Sequence, residues 1–277
     1  MITCNIVGGL GNQLFQIFTT IAYTLKQNLD FVFPLNKTQS DDQRGTYWDT
    51  FLCELKTTSQ PLPLKVYNAP SFTYTPIPKM DNIKLDGWFQ SYKYFEYEYK
   101  TIYKLCEIDK KKNLILLKYP RYSYNNSISI HFRIGDAKPV HKHAFHGITK
   151  NKYFINAIDM ITKNTSVIFD ILCFSEEEDE EEVDNRIKYI QENFPFLNFI
   201  KIPYNIPDWE QLLLMSLCKH NVIGNSTFSW WGAYFNTNLD KIVVCPSPWF
   251  GPKANINTRD LLPKSWIILP DSCSHSK

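Results

Sequence analysis

No Gly-Lys-Ser or Gly-Lys-Thr follows the glycine-rich turn near the N-terminus, so the chain lacks the lysine and hydroxyl with which a P-loop holds a nucleoside triphosphate. Its seven cysteines (Cys4, Cys53, Cys106, Cys173, Cys218, Cys245 and Cys273) are scattered, with no Cys-x-x-Cys pair. That excludes a zinc ribbon and a thioredoxin-type redox motif, and it predicts reduced, mostly buried thiols. Nothing approaches 18 uninterrupted apolar residues, so no membrane span is expected. The N-terminus goes straight into a strand pattern without a basic region and apolar run, so a signal peptide is not expected and a cytoplasmic location is. Charge of one sign is also missing. A net charge of +2 makes a broad nucleic-acid-binding surface untenable, although a few well-placed groups still suffice for one phosphate.

What is there is an alternation of strands and helices with many aromatics. Ile2–Val7 reads as a strand, residues 8–12 as a turn, Gln13–Gln27 as an amphipathic helix and Phe31–Pro34 as a second strand, which makes a βαβ unit. Pro61–Lys79 carries too many prolines for a helix or a central strand and reads as a surface loop. Tyr97–Lys118 reads as a helix, with Lys110-Lys111-Lys112 as its solvated end. A second series then begins. Ser127–Phe132, Val167–Phe174, Asn198–Ile202, Asn221–Gly224 and Ile242–Cys245 read as strands, the last of these closing the series. Lys152–Lys163, Val183–Asn193 and Trp209–Lys219 read as helices between them. The fold class is therefore α/β: two Rossmann-like, doubly wound domains, residues 1–125 and 126–277, with parallel sheets covered on both faces. Ligands are expected at the carboxyl ends of the strands, in the cleft between the domains.

Five stretches carry residues suited to chemistry at those strand ends or on the loops after them. Gly8-Gly9-Leu10-Gly11-Asn12-Gln13 lies where the first strand turns into a helix; Leu14 stands where a dinucleotide fingerprint needs its third glycine. Its glycines let a ligand approach the backbone, and Asn12 or Gln13 can donate; the alternative is a tight turn with Asn12 as helix cap. In His131-Phe132-Arg133-Ile134-Gly135-Asp136, alternation points His131, Arg133 and Gly135 to one face. Arg133 is placed to grip a phosphate, with Asp136 to orient it or act as a carboxylate beside it; the alternative is an Arg–Asp pair closing a turn. Ser175 and Glu176 end another strand, ahead of an acidic run that must be largely solvated. His141, His143 and His146 sit on a loop whose spacing is weak for a metal and fits a substrate loop or a plain surface loop. Finally, Asn225-Ser226-Thr227-Phe228-Ser229-Trp230-Trp231 offers hydroxyls and backbone N–H groups at a strand-to-helix turn. It suits a phosphate, or else an N-capped core helix with Ser226 or Thr227 as the cap.

Taken together, the segments resemble the alpha-1,2-fucosyltransferase family, glycosyltransferase family 11. The resemblance rests on Gly8 through Gln16, on the box Gly87-Trp88-Phe89-Gln90-Ser91-Tyr92-Lys93-Tyr94-Phe95, on His131 through Asp136, and on Phe174-Ser175-Glu176-Glu177. It continues through Met215–Asn221 into Asn225–Ala233, then Val243–Pro246 and Trp249-Phe250, all in the expected order. It implies a GT-B architecture and an inverting transfer of L-fucose from GDP-β-L-fucose to a hydroxyl, galactose O2, of an oligosaccharide acceptor. Such enzymes typically need no divalent metal, and no cofactor is implied beyond the donor.

Carried over residue by residue, Arg133 neutralises the leaving diphosphate. Ser226, Thr227 and the N–H groups near Phe228, flanked by Asn225 and Ser229, cradle the same diphosphate. Gly11 and Asn12, beside Gln13, reach the donor's phosphate or fucose. Glu176, with Ser175, meets the guanine or the sugar. Asp136, His143 and His146 are the general-base candidates, with an oxocarbenium-like path that needs little help from a base as the alternative, and His131 and His146 complete the substrate-binding set. Two positions depart from the family. Ile134 stands where a second arginine is usual, and Gln211 where an aspartate is frequent. The alternatives are the same fold with another nucleotide-activated sugar, or a non-catalytic glycan- or nucleotide-binding relative.

Overall fold

The computed structural model describes residues 1–36, 45–62, 64–135 and 147–271. They form two compact units: Met1–Asn113 with Asn257–Pro263, and Leu114–Ile256 with the segment from Lys264 onward.

In the first unit, strand β1 (Ile2–Cys4) leads into helix α1 (Leu10–Gln27). The chain then returns with Phe31 parallel to Ile2, and short strands β2 (Phe33–Pro34) and β3 (Thr57–Thr58) pair with each other. Strands β4 (Lys65–Asn68) and β5 (Ile83–Asp86) complete a parallel sheet in the order β1-β5-β4. The proline-rich stretch is thus not all loop: it supplies β4, at the sheet's edge. There one side of the backbone has no ladder to satisfy, and flanking prolines are tolerated.

Helix α1 starts three residues before the expected Gln13. Gly9 takes the extended N-cap conformation and its carbonyl accepts from the N–H groups of Asn12 and Gln13 at 3.0 and 3.1 Å. Leu14, Phe15, Ile17, Phe18, Ile21 and Ala22 are fully buried. Each phenyl ring so removed from water stabilises the unit by about 2–3 kcal/mol. The buried hydroxyls of Thr20 and Thr24 donate to the carbonyls of Gln16 and Ile21, so the helix buries them without an unmet donor.

Tyr97–Lys118 is two helices, α2 (Tyr99–Leu105) and α3 (Ile108–Lys118), broken where Glu107 turns left-handed at φ 48°. The three lysines are not a solvated end. Only Lys110 is exposed, paired with Glu107; Lys111 is buried and donates to both Glu54 and the carbonyl of Cys106, each at 2.7 Å. Lys112 is also buried, and the loss of hydration pushes its ammonium pKa down to about 8.

The second unit is a six-stranded parallel sheet. Its strands are β6 (Ser127–His131), β7 (Asp170–Phe174), β8 (Asn198–Lys201), β9 (His220–Val222), β10 (Val243–Ser247) and β11 (Ile267–Pro270). Strand β11, parallel to β10, follows the strand expected to be last. Among the described residues four α-helices intervene: α4 (Asn151–Thr162), α5 (Glu180–Gln191), α6 (Asp208–Leu217) and α7 (Thr227–Tyr234). The spatial order is β11-β10-β9-β6-β7-β8. The chain winds outward from β6 to β8, then returns beside β6 and winds the other way, so the order reverses between β6 and β9. Ile128, Ile130, Phe132 and Ile134 form a core with Tyr153, Phe154 and Ile158 of α4 and Val183, Ile187 and Ile190 of α5. Helices α6 and α7 approach closely, since a Cβ on Gly232 would lie 2.8 Å from that of Met215. Trp230 and Trp231 of α7 are fully buried.

His220 gives this unit an acid limit. Its Nδ1 accepts the N–H of Ile242 at 3.0 Å and its ring lies edge-on to Phe169. Burial, then the Lys219 ammonium, pulls the imidazole pKa down to about 4. The folded state therefore binds fewer protons than the unfolded one between about pH 6.5 and 4, and stability declines as pH falls through that window. The expected loss is up to about 3 kcal/mol, read as a falling midpoint in urea melts. His220→Asn keeps an acceptor for Ile242 and should flatten the slope; an unchanged slope assigns the acid sensitivity elsewhere.

Candidate active site

In an open parallel sheet the crevice beyond the carboxyl ends of the strands is widest where the order reverses. Here that point lies past β6 and β9, and the segments following those strands are residues 132–135 and 223–229. The two backbones nearly touch: a Cβ on Gly224 would lie 2.9 Å from the carbonyl oxygen of His131. Phe132 and Ile134 turn into the apolar core, which sends the half-buried Arg133 to the other face, as alternation predicts. Its Nη1 donates to the carbonyl of Asn225 at 3.1 Å. His131 is buried, its ring centroid 5.6 Å from that of Phe228.

Asn225 ties the crevice together. Its Nδ2 donates to the carbonyls of Gly147 and Trp249 at 3.3 and 3.2 Å, and its Oδ1 accepts from the Thr149 hydroxyl at 3.1 Å. Ser226 N-caps α7: its N–H bonds the carbonyl of Gly224 and its Oγ accepts from Phe228 N–H at 3.3 Å. The Ser229 hydroxyl donates to the carbonyl of Ser226, while Thr227 and Phe228 are half-buried at the helix start. Of the two readings of this turn, the capped helix is the one the hydrogen bonds draw, with Ser226 as the cap. The positive end of α7 opens beside Arg133, and both favour a negative group.

Ser175 and Glu176 follow β7, the neighbour of β6, with Ser175 half-buried and Glu176 exposed. The acidic run after them is not wholly solvated. Asp179 is buried, and its Oδ2 accepts the N–H of Gly135 at 2.7 Å, pinning the segment that carries Arg133. A run of seven consecutive acids hides which one turns inward. Tyr153 of α4, equally silent in the sequence, donates its hydroxyl to the carbonyls of Ile223 and Val244 at 2.8 and 2.9 Å, just below the crevice.

Gly11, Asn12 and Gln13 belong to the first unit, in the opening turn of α1. Gln13 is fully buried and donates to the carbonyls of Gly8 and Gly45, both at 2.9 Å, so it braces the turn rather than facing solvent. Asn12 accepts from Gln90 Nε2 at 2.9 Å. Asp136, His141, His143 and His146 lie outside the described residues. Ile134 is 1% exposed within the core, so a second arginine at that position would have to enter an apolar cluster. Gln211 donates to the carbonyl of Ile206 in the first turn of α6. Among the described residues no group of three or more His, Cys, Asp or Glu side chains is placed to hold a metal ion, and no helix is long and apolar enough to cross a membrane.

Comparison with known proteins gives the family. The chain matches Glycosyl transferase family 11 over residues 1–269. It is 30% identical to the O-antigen biosynthesis glycosyltransferase WbnK of Escherichia coli, over 95% of this chain and 98% of that one. It is 26% identical to an alpha-1,2-colitosyltransferase of Escherichia coli, over 96% and 98% respectively. The solved structure of Arabidopsis thaliana FUT1 with GDP aligns with 87% of this chain and 69% of that one, at 12% identity and a TM-score of 0.48, a distant likeness of fold. With a doubly wound parallel sheet, an arginine at its switch point and a family match across nearly its whole length, this chain is a glycosyltransferase and belongs to glycosyl transferase family 11.

Proposed function

We propose that the protein is an inverting alpha-1,2-fucosyltransferase, moving L-fucose from GDP-β-L-fucose to O2 of a galactose in an oligosaccharide acceptor. The observation that carries this reading is the convergence of Arg133 and the Ser226-capped start of α7 at the β6/β9 switch point, bonded through Asn225. In such a transfer the bond between fucose C1 and the β-phosphate oxygen breaks while the acceptor oxygen bonds C1 from the opposite face. Negative charge grows on the departing GDP, and a fixed guanidinium with an aligned helix dipole stabilises it before water can reorganise. The acceptor's proton passes to a base, for which the sequence offers Asp136, His143 and His146. Asn12, with Gly11, is assigned to the phosphate or fucose of the donor, and Ser175 and Glu176 to the guanine or the sugar. No metal or cofactor enters this scheme.

The name of one relative favours a second reading, transfer of a colitosyl group by the same residues. A panel of nucleotide sugars separates them. Release of GDP from GDP-fucose that rises when β-galactosides are added supports the first reading. Release only from a colitosyl donor replaces it with the second, and no release from any donor removes both.

A further inference from the structure

The box Gly87–Phe95 belongs to the family pattern, yet none of its residues has a part in the scheme above. Its backbone is unusual at two positions. Gly87 has φ 156°, and a Cβ there would lie 2.5 Å from that of Ala69. Phe89 has φ 49°, a left-handed conformation that costs a non-glycine residue about 1 kcal/mol. The surroundings hold that strain in place. The buried Phe89 ring meets Tyr94 edge-on at 5.4 Å, and the N–H of Ser91 donates to the carbonyl of Phe89 at 2.7 Å. The Ser91 hydroxyl caps the turn Tyr92–Tyr94, and the N–H of Thr75 donates to the Tyr94 hydroxyl. Lys93 is paired with Asp260, whose other oxygen accepts from the N–H of Tyr74.

The product of this rigid loop is the placement of one side chain. Gln90, 6% exposed, directs Nε2 to Asn12 Oδ1 at 2.9 Å, while its own Oε1 is buried without a partner among the described residues. On the other side, Gly8 is left-handed at φ 77°, and a Cβ there would come within 2.5 Å of Asn12 Nδ2. Asn12 is therefore held between an amide donor and a bare glycine, with its oxygen engaged by Gln90.

We propose that Gln90 is a positioning residue for Asn12. By occupying Oδ1 it fixes the orientation of the Asn12 amide, so that Nδ2–H is the end that donates to a phosphate or hydroxyl oxygen of the sugar nucleotide. The inference rests on the assignment of Asn12 to the donor. The strained Phe89 turn is the structural means of delivering Gln90 there, which explains why the loop carries a left-handed phenylalanine.

Gln90→Glu tests this. An ionised carboxyl accepts only, so it pairs with Nδ2 and turns Oδ1 toward the substrate. kcat/KM for GDP-fucose should then fall about 30-fold at pH 7.5, the loss of one hydrogen bond to a charged group. Relative to wild type at the same pH, activity should recover below about pH 5.5, because the protonated carboxyl donates to Oδ1 as the amide does. Gln90→Met should lose activity without that recovery. In the substrate-free protein, the Asn12 side-chain NH2 signals, identified by their loss in Asn12→Asp, should titrate with the introduced carboxyl. Flat pH profiles for both variants relative to wild type, together with Asn12 signals that do not titrate, overturn the proposal. If the wild-type protein releases no GDP from GDP-fucose, the donor reading fails, and the substrate-free titration still decides whether Gln90 orients Asn12.

Discussion

Arg133→Ala should lower kcat about 10³-fold or more while the melting temperature stays within a few degrees of wild type. The argument is one of position and timing. Arg133 stands two residues past the end of β6, at the point where the strand order reverses, and its neighbours Phe132 and Ile134 are locked in the core. Its guanidinium is already held by the Asn225 carbonyl, so no reorganisation is needed when charge builds on the leaving diphosphate. The side chain is half-buried and contributes little to the core, so its removal should spare the fold. Arg133→Lys keeps the charge but loses the planar fork, and should fall between wild type and alanine. Steady-state release of GDP from GDP-fucose, with a melting curve for each variant, gives the answer. An alanine variant within about tenfold of wild type would remove Arg133 from the chemistry.

Most of the second unit was legible from the sequence because its central strands and the helices that cover them have a one-sided or fully apolar pattern. Strand β6 alternates Ile128, Ile130 and Phe132 against Ser127, Ser129 and His131, and helix α4 repeats apolar residues at helical spacing. The first unit was less legible for local reasons. Strand β4 is mostly exposed, so it has no apolar face to show, and the prolines around it argue for a loop. The break between α2 and α3 falls at Glu107, without the glycine or asparagine that usually marks a left-handed residue. Lys111 and Lys112 read as solvated because their burial depends on distant partners, Glu54 among them, 57 residues away. Strand β11 is an exposed-and-half-buried edge of four residues ending at Pro270, too short for a period to declare itself.

The candidate site divides in the same way. Arg133 and the Ser226 turn could be placed because strand ends and helix starts are local signals. Thr149, Tyr153 and Asp179 could not, because each acts on the site through a contact spanning more than 40 residues. Asn225 was legible as a polar residue at a turn but not as a hub, since its side chain bonds Gly147, Thr149 and Trp249, none of them near it in the sequence.

That hub leads to the second large effect. Asn225→Ala should destabilise the second unit by roughly 3 kcal/mol, because two buried carbonyls and one hydroxyl lose their partner together. Asn225→Asp should be worse still, about 4 kcal/mol at pH 7.5, although it is nearly the same shape. The retained Oδ1 can still accept from Thr149, but the oxygen that replaces Nδ2 faces the carbonyls of Gly147 and Trp249, and 6% exposure leaves little water to separate them. The new carboxyl therefore binds its proton more tightly in the folded than in the unfolded state. The folded state gains protons first as pH falls, so the deficit of the aspartate variant relative to wild type should shrink on acidification, when an O–H again donates to a carbonyl. Urea melts of the three proteins at pH 7.5 and 5.5 would measure this. An aspartate variant as stable as wild type at pH 7.5 would mean that Asn225 donates to neither carbonyl. Because Arg133 is anchored on the Asn225 backbone, both variants should also lose turnover, and more of it than their unfolded fraction explains.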